Sequence, residues 1–381
     1  MTTLPVRIAC VHQGYELYGS DRCFVESVAA LRQAWPDAEI EVVLPRPGPI
    51  VPLLQPLADR VVFEPLWVLR RKTMMRLLTL GLFALPAALW RAGRRLSRYD
   101  LVYVNTAVIA DYALAARFFP GRSLLHIHEI AEGGAARILR GLALWSGSAI
   151  VFNSRATQAA YSLPPGRRSE VIYNGIAGPA VPEPVSYDGG RRLRVLMLGR
   201  IGPIKGQEIL LAAIAALPAE LKGRIEARLA GGAFENEERE RALHELVGAQ
   251  GLSDTVSIEP FVDDPSPLYR WADIVCVPSK RPESLGRVAI EAMAWGRPAI
   301  VSAIGGLVEV VDQGRAGWLV PPGEVAPLSE QLAMLIARPE LLAPMAAAGR
   351  ARYQAVFSAE AAAQAIAAAA GAVLTGKSIM R

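Results

Sequence analysis

Residues 277–309 read VPSKRPESLGRVAIEAMAWGRPAIVSAIGGLVE, and this stretch decides how the rest of the chain is interpreted. The pattern predicts the end of a buried strand, a loop with Glu283, a helix that carries Glu291, a short strand and a Gly-Gly turn. Free N–H groups at a helix N-terminus bind phosphate, and carboxylates bind hydroxyls. Two acids around such a terminus therefore suit a ligand with anionic and hydroxyl parts.

Length and composition indicate a globular protein of two domains. A chain of 381 residues is too long for one ordinary core, and its 52% apolar and 20% charged residues argue against a disordered chain. The net charge of +5 fits an anionic ligand or a membrane surface. No basic run is interleaved with aromatic residues, so we expect no nucleic acid partner.

The cysteines favour a reducing compartment. Cys10, Cys23 and Cys276 form neither a disulfide framework nor a C-x-x-C site. The first residues, MTTLP, lead directly into a predicted strand without a signal-peptide pattern. We therefore expect a cytoplasmic protein, with the inner face of the cell membrane as an alternative location.

Short apolar runs alternate with helical segments along the chain, which predicts parallel sheets covered on both faces. The predicted strands of the first half are residues 6–12, 39–44, 60–63, 101–104, 124–128, 149–153 and 171–173. Those of the second half are residues 193–198, 225–229, 256–258, 274–277 and 299–301. After the first strand comes a loop with Gly14 and Gly19, and Ser20 or Asp21 is expected to cap the next helix.

Residues 177–192 are rich in Pro and Gly and lack periodicity, so we interpret them as an interdomain linker. The predicted α/β organisation is an N-terminal domain at 1–180 and a C-terminal domain at 190–357. A C-terminal helix at 358–381 would cross back to the first domain. Two doubly wound domains would face a cleft, with ligands at the carboxyl ends of the strands.

Residues 70–95 form a basic and apolar segment with two interpretations. Arg70, Arg71, Lys72 and Arg76 precede an apolar run, which ends at Trp90 and is followed by further arginines. The run is too short to span a bilayer, which needs about 20 residues. It could lie on an anionic membrane surface, or it could pack on the first domain with its arginines turned outward.

The sequence LGRIGPIKG at 198–206 places Arg200 and Lys205 in a glycine-rich loop after the first strand of the second half. Such a loop can wrap a diphosphate, and the two cations can neutralise the charge that develops on a leaving group. Alone, the pattern fits a solvated surface loop equally well. Glu283 and Glu291 downstream favour the binding site.

Three motifs taken together resemble one family. G-R-x-x-x-x-K-G, P-S-x-x-x-E-S-x-G-x-x-x-x-E-A-M-x-x-G-x-P and G-G-x-x-E resemble the retaining glycosyltransferases of the GT-B fold, in family 4. The resemblance covers most of the second half. It implies two Rossmann-like domains and transfer of a sugar from a nucleotide-diphosphate sugar donor to a glycan or lipid-linked acceptor.

The resemblance also implies roles for individual residues. Arg200 and Lys205 would hold the donor diphosphate, Glu283 the transferred sugar and Glu291 the ribose. Backbone N–H groups at Leu285, Gly286 and Arg287 would meet the sugar and the phosphate, and the loop with Phe261 and Val262 would bind the base.

The first half resembles the family less closely. Gly19-Ser20 stands where the family has a Gly-Gly pair, so Gly19 is the candidate for close approach to the donor. His126-Ile127-His128-Glu129 resembles the family's His-acid pair, with His128 as the candidate catalytic residue beside Glu283, Arg200 and Lys205. Ala177 replaces an acid, and Pro260 replaces a glycine.

Other functions remain as alternatives. No His/Cys cluster has metal-ligand spacing, and no G-x-G-x-x-G follows the first strand of either half, so neither a metal nor another cofactor is expected. The chain could be a non-catalytic subunit that binds a sugar nucleotide, or a GT-B-type epimerase or phosphorylase. Bacterial surface-polysaccharide synthesis and a mannosyl donor are suggested by the sequences around Gly19 and His128.

Overall fold

The computed structural model describes residues 5–17, 19–69, 80–131, 133–167, 169–233 and 236–376. The chain divides into two compact units. Unit 1 comprises Met1–Gly175 and Ala359–Arg381, and unit 2 comprises Ile176–Ser358. Arg70, Arg71, Lys72 and Arg76 of the basic segment lie outside the described residues.

Unit 1 contains a parallel sheet in the order β3-β2-β1-β4-β5-β6-β7. Its strands are β1 (Arg7–Val11), β2 (Glu39–Leu44), β3 (Arg60–Phe63), β4 (Leu101–Val104), β5 (Ser123–Ile127), β6 (Ala149–Phe152) and β7 (Ser169–Val171). Every predicted strand of this half is present. β2, β3 and β4 have the predicted ends, and the ends of the other four are shifted by one or two residues. Because β5 ends at Ile127, His128 lies just beyond the sheet edge.

The helices of unit 1 bury apolar faces against both sides of this sheet. They are α1 (Gly19–Ala34), α2 (Val51–Leu54), α3 (Leu80–Arg98), α4 (Ala110–Ala116), α5 (Gly133–Trp145), α6 (Arg155–Tyr161) and α15 (Ala359–Leu374), which packs against α1. The expected cap of α1 is wrong. Ser20 and Asp21 lie inside the helix, and Asp21 bonds to His12.

Unit 2 contains a second parallel sheet in the order β10-β9-β8-β11-β12-β13. Its strands are β8 (Leu193–Leu198), β9 (Ile225–Ala230), β10 (Val256–Glu259), β11 (Ile274–Val277), β12 (Ala299–Ser302) and β13 (Trp318–Val320). The edge strand β13 is absent from the sequence prediction, because three residues next to glycines carry little periodic signal.

The helices of unit 2 cover its sheet and bury apolar side chains. They are α7 (Gln207–Ala215), α8 (Ala219–Lys222), α9 (Glu237–Ala249), α10 (Ser266–Trp271), α11 (Arg287–Ala294), α12 (Gly306–Val310), α13 (Val325–Ala337) and α14 (Leu342–Arg352). Residues 177–192 contain neither helix nor strand. The Arg350 guanidinium holds the start of this segment by donating to the carbonyl oxygens of Pro179 and Ala180 at 2.8 and 3.0 Å.

Each sheet reverses its strand order once. In unit 2 the chain runs outward from β8 to β10 and then returns to build β11 to β13 on the other side. In unit 1 the reversal lies between β1 and β4. Loops on either side of such a switch point diverge and leave a crevice for a ligand at the carboxyl ends of the strands. The topology therefore marks one crevice in each unit.

Within the described part of the chain, no single helix is long and apolar enough to cross a membrane. The bent pair Val325–Ala337 and Pro339–Phe357 meets the criteria of length and composition only when its helices are joined across a 100° bend.

Candidate functional site

At the switch point of unit 2, the loops after β8 and β11 are bound to each other. The Lys280 N–H donates to the carbonyl oxygen of Ile204 at 2.8 Å. Gly206 has a φ of +79°, and a Cβ there would lie 2.1 Å from the carbonyl oxygen of Pro278. Only glycine permits both the conformation and this approach. The two loops therefore form one rigid rim.

Lys205 and Glu283 meet across this rim. Nζ of Lys205 lies 2.9 Å from Oε1 of Glu283, with 28% and 13% of the two side chains exposed. The hydroxyl of the buried Ser279 donates to the same carboxylate oxygen. The structure thus brings together the predicted cation and the predicted carboxylate, and it adds Ser279, which the sequence analysis missed.

Glu283 is also fixed through its backbone. The Gly306 N–H donates to the Glu283 carbonyl oxygen at 2.8 Å. A Cβ on Gly306 would lie 2.5 Å from the carbonyl oxygen of Ser284, and one on Gly305 would lie 2.5 Å from that of Glu283. The Gly-Gly pair is therefore needed for the close packing of two loops, in addition to making a turn.

Helix α11 points its N-terminus into the same crevice. Its N-cap is Gly286, which has a φ of +93° and supplies no capping side chain. The first N–H groups of a helix lack partners within the helix, and the helix dipole adds partial positive charge. Leu285, just before the cap, is buried, so the backbone at this point is held firmly. The geometry suits a phosphate or another anion.

Glu291 lies one turn into α11 and has two partners. Its Oε1 accepts from Nε of Arg287 at 2.8 Å, and its Oε2 accepts from the Tyr269 hydroxyl at 2.6 Å. Burial raises the pKa of Tyr269 well above its usual range, so this hydroxyl keeps its proton and donates it. Tyr269 is a second residue that the sequence analysis missed.

Three other predicted residues lie on loops at the same edge of the sheet. Arg200 is exposed and forms no ion pair with a described residue, while Gln207 donates to its carbonyl oxygen at 3.0 Å. Phe261 is 51% exposed, and Val262 is half-buried. Arg200 is therefore a cation free to meet an incoming anion, and Phe261 presents an apolar ring to solvent.

The crevice of unit 1 carries imidazole and amide groups, with one carboxylate behind them. Nε2 of His128 lies 2.8 Å from Oδ1 of Asn105, and its Nδ1 lies 3.4 Å from Nδ2 of Asn174. The other end of the Asn105 amide lies 3.0 Å from Nδ1 of His12. His12 in turn lies 2.7 Å from Oδ1 of Asp21.

Burial keeps the rings of His126 and His128 neutral. His126 is fully enclosed, and burial lowers its pKa to about 3. The ring of His128 lies 4.0 Å from that of His126, and burial again lowers its pKa well below the usual range, helped by the neighbouring imidazoles. Burial raises the pKa of Glu129, whose carboxylate accepts from the Thr106 hydroxyl.

Gly19 is the first described residue of α1, and Gly19 and Ser20 are both exposed. No described contact joins Gly19 to the His128 cluster. His12 and Asn105 were missed by the sequence analysis. The signal that could have found them is positional, because each follows an apolar strand directly, as His128 does.

Comparisons with known proteins identify the fold and the sequence relatives of unit 2. Solved structures of the same fold cover nearly the whole chain. A glycosyltransferase from Rickettsia africae matches with a TM-score of 0.78 and 18% identity over 98% of this chain and 100% of that one. Anabaena Alr3699/HepE in complex with UDP-glucose matches with a TM-score of 0.74 and 25% identity over 95% of this chain and 98% of that one. The fold is GT-B.

The sequence similarity to known proteins lies in unit 2. Residues 188–352 match the sequence model described as glycosyl transferases group 1. A D-inositol 3-phosphate glycosyltransferase from Saccharomonospora viridis is 36% identical over 162 residues, which is 41% of this chain and 37% of that protein. One from Streptomyces bingchenggensis is 39% identical over 153 residues, or 39% of this chain and 33% of that protein. Unit 2 is thus similar in sequence to the glycosyl transferases of group 1, and the matched segment spans less than two fifths of these relatives.

Proposed function

We propose that the protein is a retaining glycosyltransferase that moves a sugar from a nucleotide-diphosphate sugar to a glycan or lipid-linked acceptor. The observation that carries this proposal is the Lys205–Glu283 pair beside the N-terminus of α11. A cation and helix N–H groups suit a diphosphate, and a carboxylate next to them suits the hydroxyls of the attached sugar. The match of residues 188–352 to the glycosyl transferases of group 1 supports the same reaction class.

Catalysis would be largely electrostatic. When the bond from the anomeric carbon to the diphosphate oxygen breaks, negative charge develops on that oxygen. Lys205, Arg200 and the N-terminus of α11 would stabilise this charge. Because the charge is larger in the transition state than in the bound donor, this stabilisation lowers the barrier. The acceptor hydroxyl would attack from the same face, and its proton would pass to the departing phosphate oxygen. This route retains the anomeric configuration without a carboxylate nucleophile.

The other residues would orient the donor. Glu291, held by Tyr269 and Arg287, would accept from the ribose hydroxyls. Leu285, Gly286 and Arg287 would contribute backbone N–H groups, and Phe261 with Val262 would meet the base. The complex of Anabaena Alr3699/HepE with UDP-glucose supports a nucleotide-diphosphate sugar as the class of donor. A mannosyl donor has no support from the comparisons.

A ligand screen on the wild-type protein tests the proposal. Thermal unfolding would be followed with GDP-, UDP-, dTDP- and ADP-sugars, since a ligand that binds only the folded state raises the melting temperature. We expect one nucleotide class to raise it, followed by transfer to an acceptor with retained anomeric configuration. Binding of no nucleotide sugar would contradict the proposal.

The three alternatives give different outcomes in the same assay. A non-catalytic subunit would bind the nucleotide sugar, yet it would neither hydrolyse it slowly nor transfer the sugar. An epimerase would convert the donor sugar without an acceptor, and a phosphorylase would require free phosphate. Release of nucleoside diphosphate that depends on an added acceptor would favour the glycosyltransferase over all three.

We propose further that α3 contacts an anionic membrane surface. Phe83 and Trp90 are 87% and 63% exposed, and Arg94 and Arg98 follow Trp90 on the same helix face at four-residue spacing. Aromatic side chains favour the membrane interface, and arginines favour anionic headgroups. Such contact would bring the protein to the inner face of the cell membrane, where a lipid-linked acceptor lies.

Sedimentation with vesicles tests this contact. Vesicles containing phosphatidylglycerol should pull down the wild type, and the double variant Phe83→Ser/Trp90→Ser should bind clearly less. Trp145→Ser is the matched control, because Trp145 is 48% exposed on α5, a different helix of the same unit. Equal sedimentation of the double variant and the wild type would mean that α3 packs on the surface of unit 1 and does not contact the membrane.

A further inference from the structure

Asn105 lies between two histidines of unit 1, and the two ends of its amide face different rings. Its Oδ1 lies 2.8 Å from Nε2 of His128 and 3.0 Å from the Tyr103 hydroxyl. Its Nδ2 lies 3.0 Å from Nδ1 of His12. An amide oxygen only accepts and an amide NH₂ only donates. The orientation of this amide therefore decides which nitrogen carries the proton in each ring.

Asp21 sets the direction of the whole chain of hydrogen bonds. Its Oδ1 lies 2.7 Å from Nε2 of His12, and the two side chains are 4% and 1% exposed. A carboxylate accepts, so Nε2 of His12 carries a proton. With that single proton the ring presents a bare Nδ1 to the Asn105 NH₂ at 3.0 Å, and the Asn105 backbone carbonyl oxygen lies farther from Nδ1, at 3.3 Å. The reverse amide orientation would require a proton on Nδ1 and would leave a bare Nε2 facing the carboxylate. Two acceptors at that distance in a buried place repel each other.

The same logic fixes His128 at the other end. Oδ1 of Asn105 accepts, so Nε2 of His128 donates to it, and Nδ1 is left without a proton. The group facing Nδ1 is the NH₂ of Asn174 at 3.4 Å, which is a donor and agrees with this assignment. Burial lowers the pKa of His128, which keeps the ring neutral. Since the Asn174 contact is long, the Nδ1 lone pair can accept a stronger hydrogen bond.

We infer that Asn105 is the positioning residue of His128: oriented by Asp21 through His12, its amide holds the proton of His128 on Nε2 and leaves Nδ1 as an acceptor. Nδ1 of His128 would therefore accept a hydrogen bond from a hydroxyl and would not act as a proton donor. This inference rests on the proposed function, under which the hydroxyl belongs to the donor sugar or to the acceptor.

Nitrogen NMR on the wild-type protein tests this directly. The chain has four histidines, so selective ¹⁵N-histidine labelling gives few signals, and single His→Gln variants assign them. We expect His12 and His128 to carry their protons on Nε2 with bare Nδ1 atoms. A proton on Nδ1 of His128 would overturn the inference. The measurement needs no substrate, so its outcome is separate from whether the protein transfers sugars.

Two variants separate positioning from simple packing. Asn105→Leu keeps the branching and the number of side-chain heavy atoms but removes both polar ends of the amide, and we expect His128 to lose its single tautomer. Tyr103→Phe is the control, because it removes the other donor to the same oxygen and should leave the tautomer of His128 unchanged. A folded Asn105→Leu protein that kept Nε2–H on His128 as fully as the wild type would overturn the inference. If that variant does not fold, the wild-type spectrum decides.

Kinetics give a second readout that packing alone would not produce. Losing one neutral hydrogen bond to a substrate hydroxyl costs about tenfold in rate. Asn105→Leu should lower kcat/KM by about this factor and leave the affinity for nucleoside diphosphate unchanged. A substrate analogue that lacks the contacted hydroxyl should react equally well with Asn105→Leu and with the wild type. An equal fall in nucleoside diphosphate affinity would point to a general structural defect and against the inference.

Discussion

Units 1 and 2 share a sheet topology and differ in the chemistry at its switch point. Unit 2 places ion pairs there, Lys205 with Glu283 and Arg287 with Glu291, and these side chains are partly exposed. Unit 1 places imidazoles and amides there, and burial keeps the rings of His126 and His128 neutral. The topology thus fixes where a site lies, and the residues fix what it can bind.

The difference has a physical reason in the proposed ligands. A diphosphate carries charge that cations and helix N-termini must offset, and partial exposure lets the ion pair of Lys205 open at low cost when the ligand arrives. Sugar hydroxyls are neutral donors and acceptors, and a buried amide-imidazole chain offers them fixed partners. Placing unpaired charges in that buried chain would cost several kcal/mol. The two units would therefore respond differently to substitution.

The largest effect is expected when Lys205 is removed. Lys205→Ala leaves Glu283 without its cation and removes charge stabilisation from the departing diphosphate. Removing one such stabilising group lowers turnover by about 10²- to 10³-fold. Steady-state transfer rates with the matching nucleotide sugar measure the loss.

Lys280→Ala is the matched control for this variant. Lys280 belongs to the neighbouring loop and pairs with Glu208 at 2.5 Å, with 38% of each side chain exposed. Exposed pairs contribute about 0–1 kcal/mol, so Lys280→Ala should keep near wild-type turnover. Equal losses in the two variants would mean that general charge, and not the position of Lys205, sustains transfer.

Glu283→Gln should separate the sugar from the phosphates. The amide keeps the size of the side chain and can still accept from Ser279, but it loses the charge that pairs with Lys205. Transfer should fall by about 10²-fold, while the affinity for nucleoside diphosphate should stay equal or rise, because Lys205 is freed. Calorimetric titration of nucleoside diphosphate beside the transfer assay measures both. A parallel loss of nucleotide affinity would assign Glu283 to the phosphates.

Gly306→Ala should damage the site through the backbone. The new methyl group would lie 2.5 Å from the Ser284 carbonyl oxygen and would push the loop of Glu283 away. Overpacking of this kind costs about 1–3 kcal/mol of stability, and donor affinity should fall with it. Gly248→Ala, in α9, is the control, because nothing lies within 4 Å of its added Cβ. Chemical denaturation of both variants gives the comparison, and equal stability would show that the loop gives way freely.

Much of the fold could be predicted from the sequence because parallel strands buried on both faces are continuous apolar runs. Ile274–Val277 and Leu193–Leu198 have the predicted ends. The predictions failed where the local signal is weak. The three-residue strand Trp318–Val320 was missed. The N-cap of α1 was predicted at Ser20 or Asp21 because these residue types favour caps. Both residues lie inside α1, and the Asp21 carboxylate bonds to His12, which follows β1.

How well the candidate site residues could be predicted from the sequence differs between the two units. The residues of unit 2 stand in three motifs, and the resemblance of these motifs to one family implied a shared site for Lys205 and Glu283. Ser279 and Tyr269 were missed, since their roles depend on side chains that reach Glu283 and Glu291 from elsewhere. In unit 1, His12 and Asn105 are 93 residues apart and meet only when β1 and β4 pair. No local pattern encodes such a contact.

Unit 1 also contains a buried acid, Asp111 of α4, which gives the smallest predicted effect. Its Oδ2 accepts from the Trp67 N–H at 3.3 Å, and no described group bonds to its Oδ1. Burial raises the pKa of Asp111 from 3.8 to about 7. The folded chain therefore holds a proton that the unfolded chain releases, so stability falls as the pH rises from about 4 towards 7 and levels off above it.

Between pH 6 and pH 8 the wild type should lose about 1 kcal/mol of folding stability through Asp111. Asp111→Asn cannot titrate, so urea denaturation at the two pH values should show a smaller loss for the variant. Parallel losses in the two proteins would mean that Asp111 is already ionised in the folded state, and that unit 1 does not keep all its buried groups neutral.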